Sequence, residues 1–328
     1  MADGHGPDTA PKRGPNQPTS PNAISSAERG VQLDANDVNV VGRKSRDRTL
    51  VNLLDQASSE ELTRVTVKFA GTKRNYYVFL PQDFDAEKFY WPLVTVHGGG
   101  GNGKSHFLAN GIRQEINRQG LEAIVISPSF TNKDFQASRF PHLGEGAFLD
   151  VVLKDVRSKY QLREKILITG YSRGGQFCHR FALRSPKLVA AAAPCAAGTW
   201  TTPDGHLWME GVGEVTNPQA YLSETSDLSK VPERLHGMFI PRVAAVAGLK
   251  AEPGSKSVPF LVMCGTLDTR YDIAKAFANN LKGSGYQVQT HWPRTPHGER
   301  SKPEYRLEFE KYPREVVRFF QSVVTQKK

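Results

Sequence analysis

Short apolar runs, each cut off by glycine or a polar residue, constrain this chain more than any other feature. They are "PLVTV" (92–96), "LEAIVISP" (121–128), "KILIT" (165–169), "LVAAAAPC" (188–195) and "VPFLVMC" (258–264). None is long enough for a transmembrane helix. Between them lie segments with apolar residues at helical spacing: Leu108, Ile112 and Ile116 in a helix predicted over 104–119; Leu149, Val152, Leu153 and Val156 over 145–160; a helix from about 173 to 185; Ile273, Phe277 and Leu281; and Val316, Phe320 and Val324. Fully apolar strands alternating with amphipathic helices mean an α/β fold, with a mostly parallel central sheet covered on both faces. Ahead of them, "LTRVTVKFA" and "RNYYVFLP" flank a turn-like Gly71-Thr72-Lys73. That pattern predicts a hairpin, an antiparallel N-terminal edge to the sheet.

Residues 1–50 read differently. Pro7, Pro11, Pro15, Pro18 and Pro21 lie among Gly, Ser, Thr and Asn, and so little apolar surface cannot offset the entropy of ordering. This stretch is expected to be a Pro-rich tail and lead-in, with residues 51–328 forming the folded domain. No apolar h-region follows Met1. The expectation is a secreted or periplasmic protein whose signal is absent from this chain, with a cytoplasmic protein as the alternative. Within the domain, residues 196–257 break the strand–helix rhythm and carry Trp200, Trp208, Tyr221 and Phe239. Long irregular insertions are often lids, and a lid-like role is expected here, against packed structure as the alternative.

The formal net charge of +10 is spread among interleaved acids, with no basic run and no nucleic-acid motif. Cys178, Cys195 and Cys264 match no zinc spacing and sit in or beside apolar segments, so they are expected to be buried thiols.

In a parallel sheet, ligands sit beyond the carboxyl ends of the strands. Those ends carry His97-Gly98-Gly99-Gly100-Gly101, then Gly170-Tyr171-Ser172-Arg173-Gly174, then Asp268, and, after "YQVQTHW", the loop holding His297. Ser172 is fenced by glycines where a strand runs into a helix, the geometry that exposes a nucleophile. Asp268 directly ends its strand, whereas Asp272 falls in the next helix's first turn and Asp150 on a helix surface. Among the other histidines, His97 precedes the glycines and would brace their loop, His179 lies in a helix, and His291 lies in a strand. His297 is the one in a late loop after a strand.

These motifs, in the order Ser, Asp, His, resemble the α/β-hydrolase superfamily over about residues 62–325. "NYYVFLP", "PLVTVHGGGGN" and "ILITGYSRGGQF" look most like the polyhydroxybutyrate-depolymerase and feruloyl-esterase group. The resemblance implies a serine carboxylic-ester hydrolase with Ser172 as nucleophile, His297 as base and Asp268 orienting it, and with the amides of Gly99 and Arg173 as the oxyanion hole. It implies no metal and no organic cofactor, and an ester substrate, polymeric ones included. Gly100, Tyr171, Trp200 and Trp208 are candidate substrate-binding residues, with simple packing as the alternative for Tyr171 and core or lid packing as the alternative for the tryptophans, which as substrate residues would face both pocket and solvent. A peptidase or acyltransferase would use the same triad, and a non-catalytic binding module would use the same scaffold.

Overall fold

The computed structural model describes residues 62–131 and 145–326, apart from 219–220, 222–227, 230, 232, 234–235, 247 and 300–301. The Pro-rich tail therefore lies outside the described residues. The core is an eight-stranded sheet in the order β1-β2-β4-β3-β5-β6-β10-β11. Strand β1 (Leu62–Phe69) pairs antiparallel with β2 (Thr72–Phe79), and β2 pairs antiparallel with β4 (Ala123–Pro128). From there every neighbour is parallel: β3 (Trp91–Val96), β5 (Ile166–Tyr171), β6 (Val189–Cys195), β10 (Phe260–Met263) and β11 (Val288–His291). Strands β4 and β6 are buried along their whole length, as expected of strands covered on both faces. By contrast, β1 alternates between half-buried and exposed positions, as a half-covered edge should.

Local chemistry sets two features that the apolar pattern does not. The hairpin turn lies at Ala70-Gly71, with φ of 46° and 77°, so Thr72 and Lys73 already belong to β2. Two consecutive positive φ values match the twist of the flanking strands. The helix predicted over 104–119 is two helices, α1 (Gly103–Ala109) and α2 (Ile112–Gln119). Asn110 and Gly111 break it: Asn110 Oδ1 accepts the Ile112 N–H at 2.9 Å, and Gly111 is left-handed at φ 70°. A Cβ on Gly111 would stand 3.1 Å from Pro313 Cγ, so the break lets the chain pass closely over the C-terminal helix.

Helices α3 (Glu145–Arg157) and α4 (Arg173–Arg184) are linked by the rings of Phe148, Phe130 and Phe177. The region after β6 forms a small antiparallel sheet of β7 (Thr199–Thr201), β8 (Leu207–Met209) and β9 (Gly213–Val215), followed by α5 (His236–Val246). This region has its own apolar cluster, with Leu207, Met209, Val215, Phe239 and Val243 among its buried members. The sheet's last elements are α6 (Tyr271–Gly283) and α7 (Pro303–Thr325). Residues 196–257 are thus a packed excursion wherever they are described, not an irregular loop. All three cysteines are free and buried. Among the described residues, no helix is long and apolar enough to cross a membrane.

Candidate active site

Three backbones converge where β5 ends. Ser172 takes φ 58° and ψ −115°, a conformation that non-glycine residues rarely hold. Its N–H donates to Cys195 O at 2.9 Å, and its carbonyl accepts the Gln176 N–H at 3.1 Å. The strained turn is therefore pinned to β6 on one side and to α4 on the other. A Cβ on Gly170 would collide with the backbone of Gly174, and one on Gly174 with the carbonyls of Val96 and His97. The glycines flanking Ser172 are thus close-approach residues that let β3, β5 and α4 meet. Helix α4 begins at Arg173, so its positive dipole end lies beside the serine.

The loops after β10 and β11 are fastened together. Thr266 N–H donates to Pro293 O at 2.8 Å, and Leu267 N–H to Thr295 O at 3.2 Å. That pairing brings Asp268 to His297, with Nδ1 donating to Asp268 Oδ2 at 2.7 Å. Asp268 is only 5% exposed, and its second oxygen accepts the Arg270 N–H at 3.0 Å. The carboxylate is thereby fixed on both oxygens, and its bond to Nδ1 orients the imidazole.

Tyr171, a predicted substrate-binding residue, packs against this histidine. The two rings stack at 5.0 Å with 20° between planes, and Tyr171 Oη accepts the Gly298 N–H at 2.9 Å. Tyr171 therefore holds the His297 loop from below. His97 takes the bracing role expected of it. Phe130 N–H donates to His97 Nε2 at 2.9 Å, which leaves Nδ1–H to donate to Gly98 O at 2.7 Å. Burial pushes its pKa down and keeps it neutral. His179 is spent in the same way, between Thr201 N–H and Gly175 O.

The glycine loop lies over the serine. A Cβ built on Gly98 would stand 3.5 Å from Ser172 Cβ, and one on Gly99 3.0 Å from Arg173 Nε. Gly100 is left-handed at φ 75° with open space around it.

For Trp200 the solvent-facing expectation needs correcting, and the packing alternative holds. Trp200 is 0% exposed and is stacked 4.6 Å from the Phe277 ring, with His179 on its other contact at 5.0 Å. It is core between α4 and α6, and cannot face solvent. Trp208 is half-buried and pairs across from Trp200 in the small sheet. What the insertion does send to the site is Glu210, one residue past β8.

Glu210 meets Arg270, which the sequence pattern did not single out. Glu210 Oε2 accepts Arg270 Nε at 2.8 Å, and its other oxygen accepts Thr269 Oγ1 at 2.7 Å. Arg270 Nη1 then reaches Ser172 Oγ at 3.4 Å and Ala196 O at 3.5 Å, and also donates to His297 Nε2. The guanidinium thus sits in the gap between Ser172 and His297. The one signal for it was its place two residues beyond Asp268, in the same strand-end loop.

No protein-family model matches this chain, and no curated protein matches it by sequence. Solved structures do match. The fluorophosphonate-binding serine hydrolase FphF of Staphylococcus aureus aligns at 19% identity and TM-score 0.51, over 78% of this chain and 96% of its own. A ferulic acid esterase aligns at 18% and 0.56, over 80% and 98%. An esterase of Pyrobaculum calidifontis aligns at 15% and 0.51, over 85% and 89%. At these identities the likeness is one of fold: the chain has the α/β-hydrolase fold.

Proposed function

We propose that this protein is a serine carboxylic-ester hydrolase with Ser172 as nucleophile, His297 as general base and Asp268 as the group that orients the imidazole. The observation that carries the reading is the strained Ser172 at the end of β5, beside a hydrogen-bonded Asp268–His297 pair. In this reading the Ser172 hydroxyl gives its proton to His297 Nε2 as Oγ attacks the ester carbonyl. The oxyanion rests on the amides of Gly99 and Arg173, at the positive end of α4. His297 returns the proton to the leaving alcohol. Water, deprotonated by the same histidine, then releases the acyl group from Ser172.

The serine proton can pass directly only once Arg270 Nη1 has left the gap, because Nε2 holds an Arg270 hydrogen bond in this structure. Feruloyl and acetyl esters, and polyesters, are the substrate classes that the sequence resemblance suggests. The related folds named ferulic acid esterase and serine hydrolase support the same reaction class. The deciding experiment is labelling with a fluorophosphonate probe, followed by assay on 4-nitrophenyl esters of rising chain length, methyl ferulate and polyester film. Stoichiometric labelling that Ser172→Ala abolishes supports the reading; an unlabelled, inactive folded protein overturns it.

A further inference from the structure

Two guanidinium groups border Ser172: Arg270, paired with Glu210 through Nε, and Arg173. Arg270 lies at the N-cap position of α6, steered there by the bond from its own N–H to Asp268 Oδ1. Its Nε is held by Glu210, and its Nη1 by Ser172, Ala196 and His297, while Nη2 has no hydrogen bond among the described residues. Arg173 is exposed, and its side chain lies along the glycine loop, so close to Gly99 that a Cβ there would meet Nε at 3.0 Å. No carboxylate pairs with Arg173 among the described residues, whereas Arg118, Arg184 and Arg318, also at the surface, each have one. Arg173 thus adds a positive charge without a paired carboxylate beside Ser172.

Both groups fit the same ligand chemistry. A guanidinium presents a planar fork that matches a carboxylate, and pairing with one is stronger than any bond Arg270 makes to neutral Ser172 Oγ or Ala196 O. We propose, building on the ester-hydrolase reading, that Arg270 together with Arg173 selects esters that carry a carboxylate near the scissile bond. The carboxylate takes the Nη1–Nη2 edge of Arg270 and draws it out of the gap between Ser172 Oγ and His297 Nε2. Substrate binding then restores the direct contact that proton transfer requires. A neutral ester must displace the guanidinium with nothing to hold it aside. Glu210 keeps the arm tethered through Nε in both positions.

The test compares the mono-4-nitrophenyl esters of glutaric and adipic acid with their neutral carboxamide counterparts, with spontaneous hydrolysis subtracted. The readout is the anionic-to-neutral ratio of kcat/KM within each variant, so that any general loss of activity cancels. The wild-type ratio is expected at about tenfold, the size of one partly exposed charge-assisted bond, and to shrink with added salt. Arg270→Gln should bring it near one, and Arg270→Lys, which keeps the charge without the fork, should restore part of it. If Arg270→Gln does not fold, Arg173→Gln reads the same ratio. A wild-type ratio of one or below overturns carboxylate selection, and a ratio that survives Arg270→Gln overturns Arg270's part in it; either leaves ester hydrolysis standing. Hydrolysis of neither ester by the wild type overturns both.

Discussion

The Ser172 turn and the 196–257 excursion border the same site but are built in opposite ways. The turn is made of backbone: Ser172, Gly170 and Gly174 are held by the main chains of β3, β6 and α4, with no room for a single added carbon. The excursion is made of side chains. Among the described residues it packs around its own small cluster and reaches Arg270 through the Glu210 carboxylate and the Ala196 carbonyl. Substitutions in the turn should therefore act on chemistry or on the whole fold, whereas those in the excursion should act on stability or selectivity and leave the reaction in place.

The sharpest test of that contrast is Ser172→Ala. It removes one oxygen and leaves the backbone as it was, so folding should be unchanged while kcat falls by about four to six powers of ten. Retention of more than about a tenth of wild-type activity would rule Ser172 out as the nucleophile. In the excursion, Trp200→Ala should do the reverse. Emptying a fully buried indole site beside Phe277 and His179 costs about 3–5 kcal/mol, visible in urea unfolding. Relative rates on bulky aromatic and small esters should stay constant, because the ring does not reach the pocket. A loss of preference for aromatic esters at full stability would restore Trp200 to the substrate site.

Acid should expose a difference between the bracing histidines and their unfolded counterparts. Burial lowers the pKa of both His97 and His179, and each ring accepts a backbone N–H on Nε2. Below the ordinary value of 6.5 the unfolded chain binds protons that the native rings refuse, so stability rises with pH across that window. It is fully present above the window and is lost as pH falls through it, by up to about 1.4 kcal/mol per pH unit for each histidine. The urea midpoint should accordingly be lower at pH 5.5 than at 7.5; equal midpoints would mean that the two rings titrate normally.

The same contrast explains what could be read from the sequence. The meeting of Ser172, Asp268 and His297 at one end of the sheet was legible because each stands just past an extended run, where a parallel sheet leaves side chains free. The tight glycines were legible for the same local reason. The break at Asn110-Gly111 was hidden because Leu108, Ile112 and Ile116 keep helical spacing straight through it. The burial of Trp200 was hidden because its three-residue strand lies in a segment without periodicity, and only pairing with β8 and packing on α6 bury it. Nothing in the sequence singled out Arg270. Its role depends on Glu210, a partner far away in the chain, and no local pattern carries that information.

The smallest expected effect falls on the link between the two regions. Arg270 and Glu210 are 17% and 31% exposed, so their ion pair is partly screened and is worth about 1 kcal/mol or less. Glu210→Gln keeps an oxygen for Arg270 Nε or Thr269 Oγ1 and removes only the charge. Its urea midpoint should stay close to wild type, because the excursion's stability resides in Leu207, Met209, Phe239 and their neighbours, not in this contact. Selectivity should move instead. With its counter-charge gone, Arg270 presents more positive potential beside Ser172, and the anionic-to-neutral ester ratio should rise about two- to fivefold at low salt. A fall of several kcal/mol in stability with an unchanged ratio would show that Glu210 is a structural strut. The excursion would then have no part in choosing the substrate.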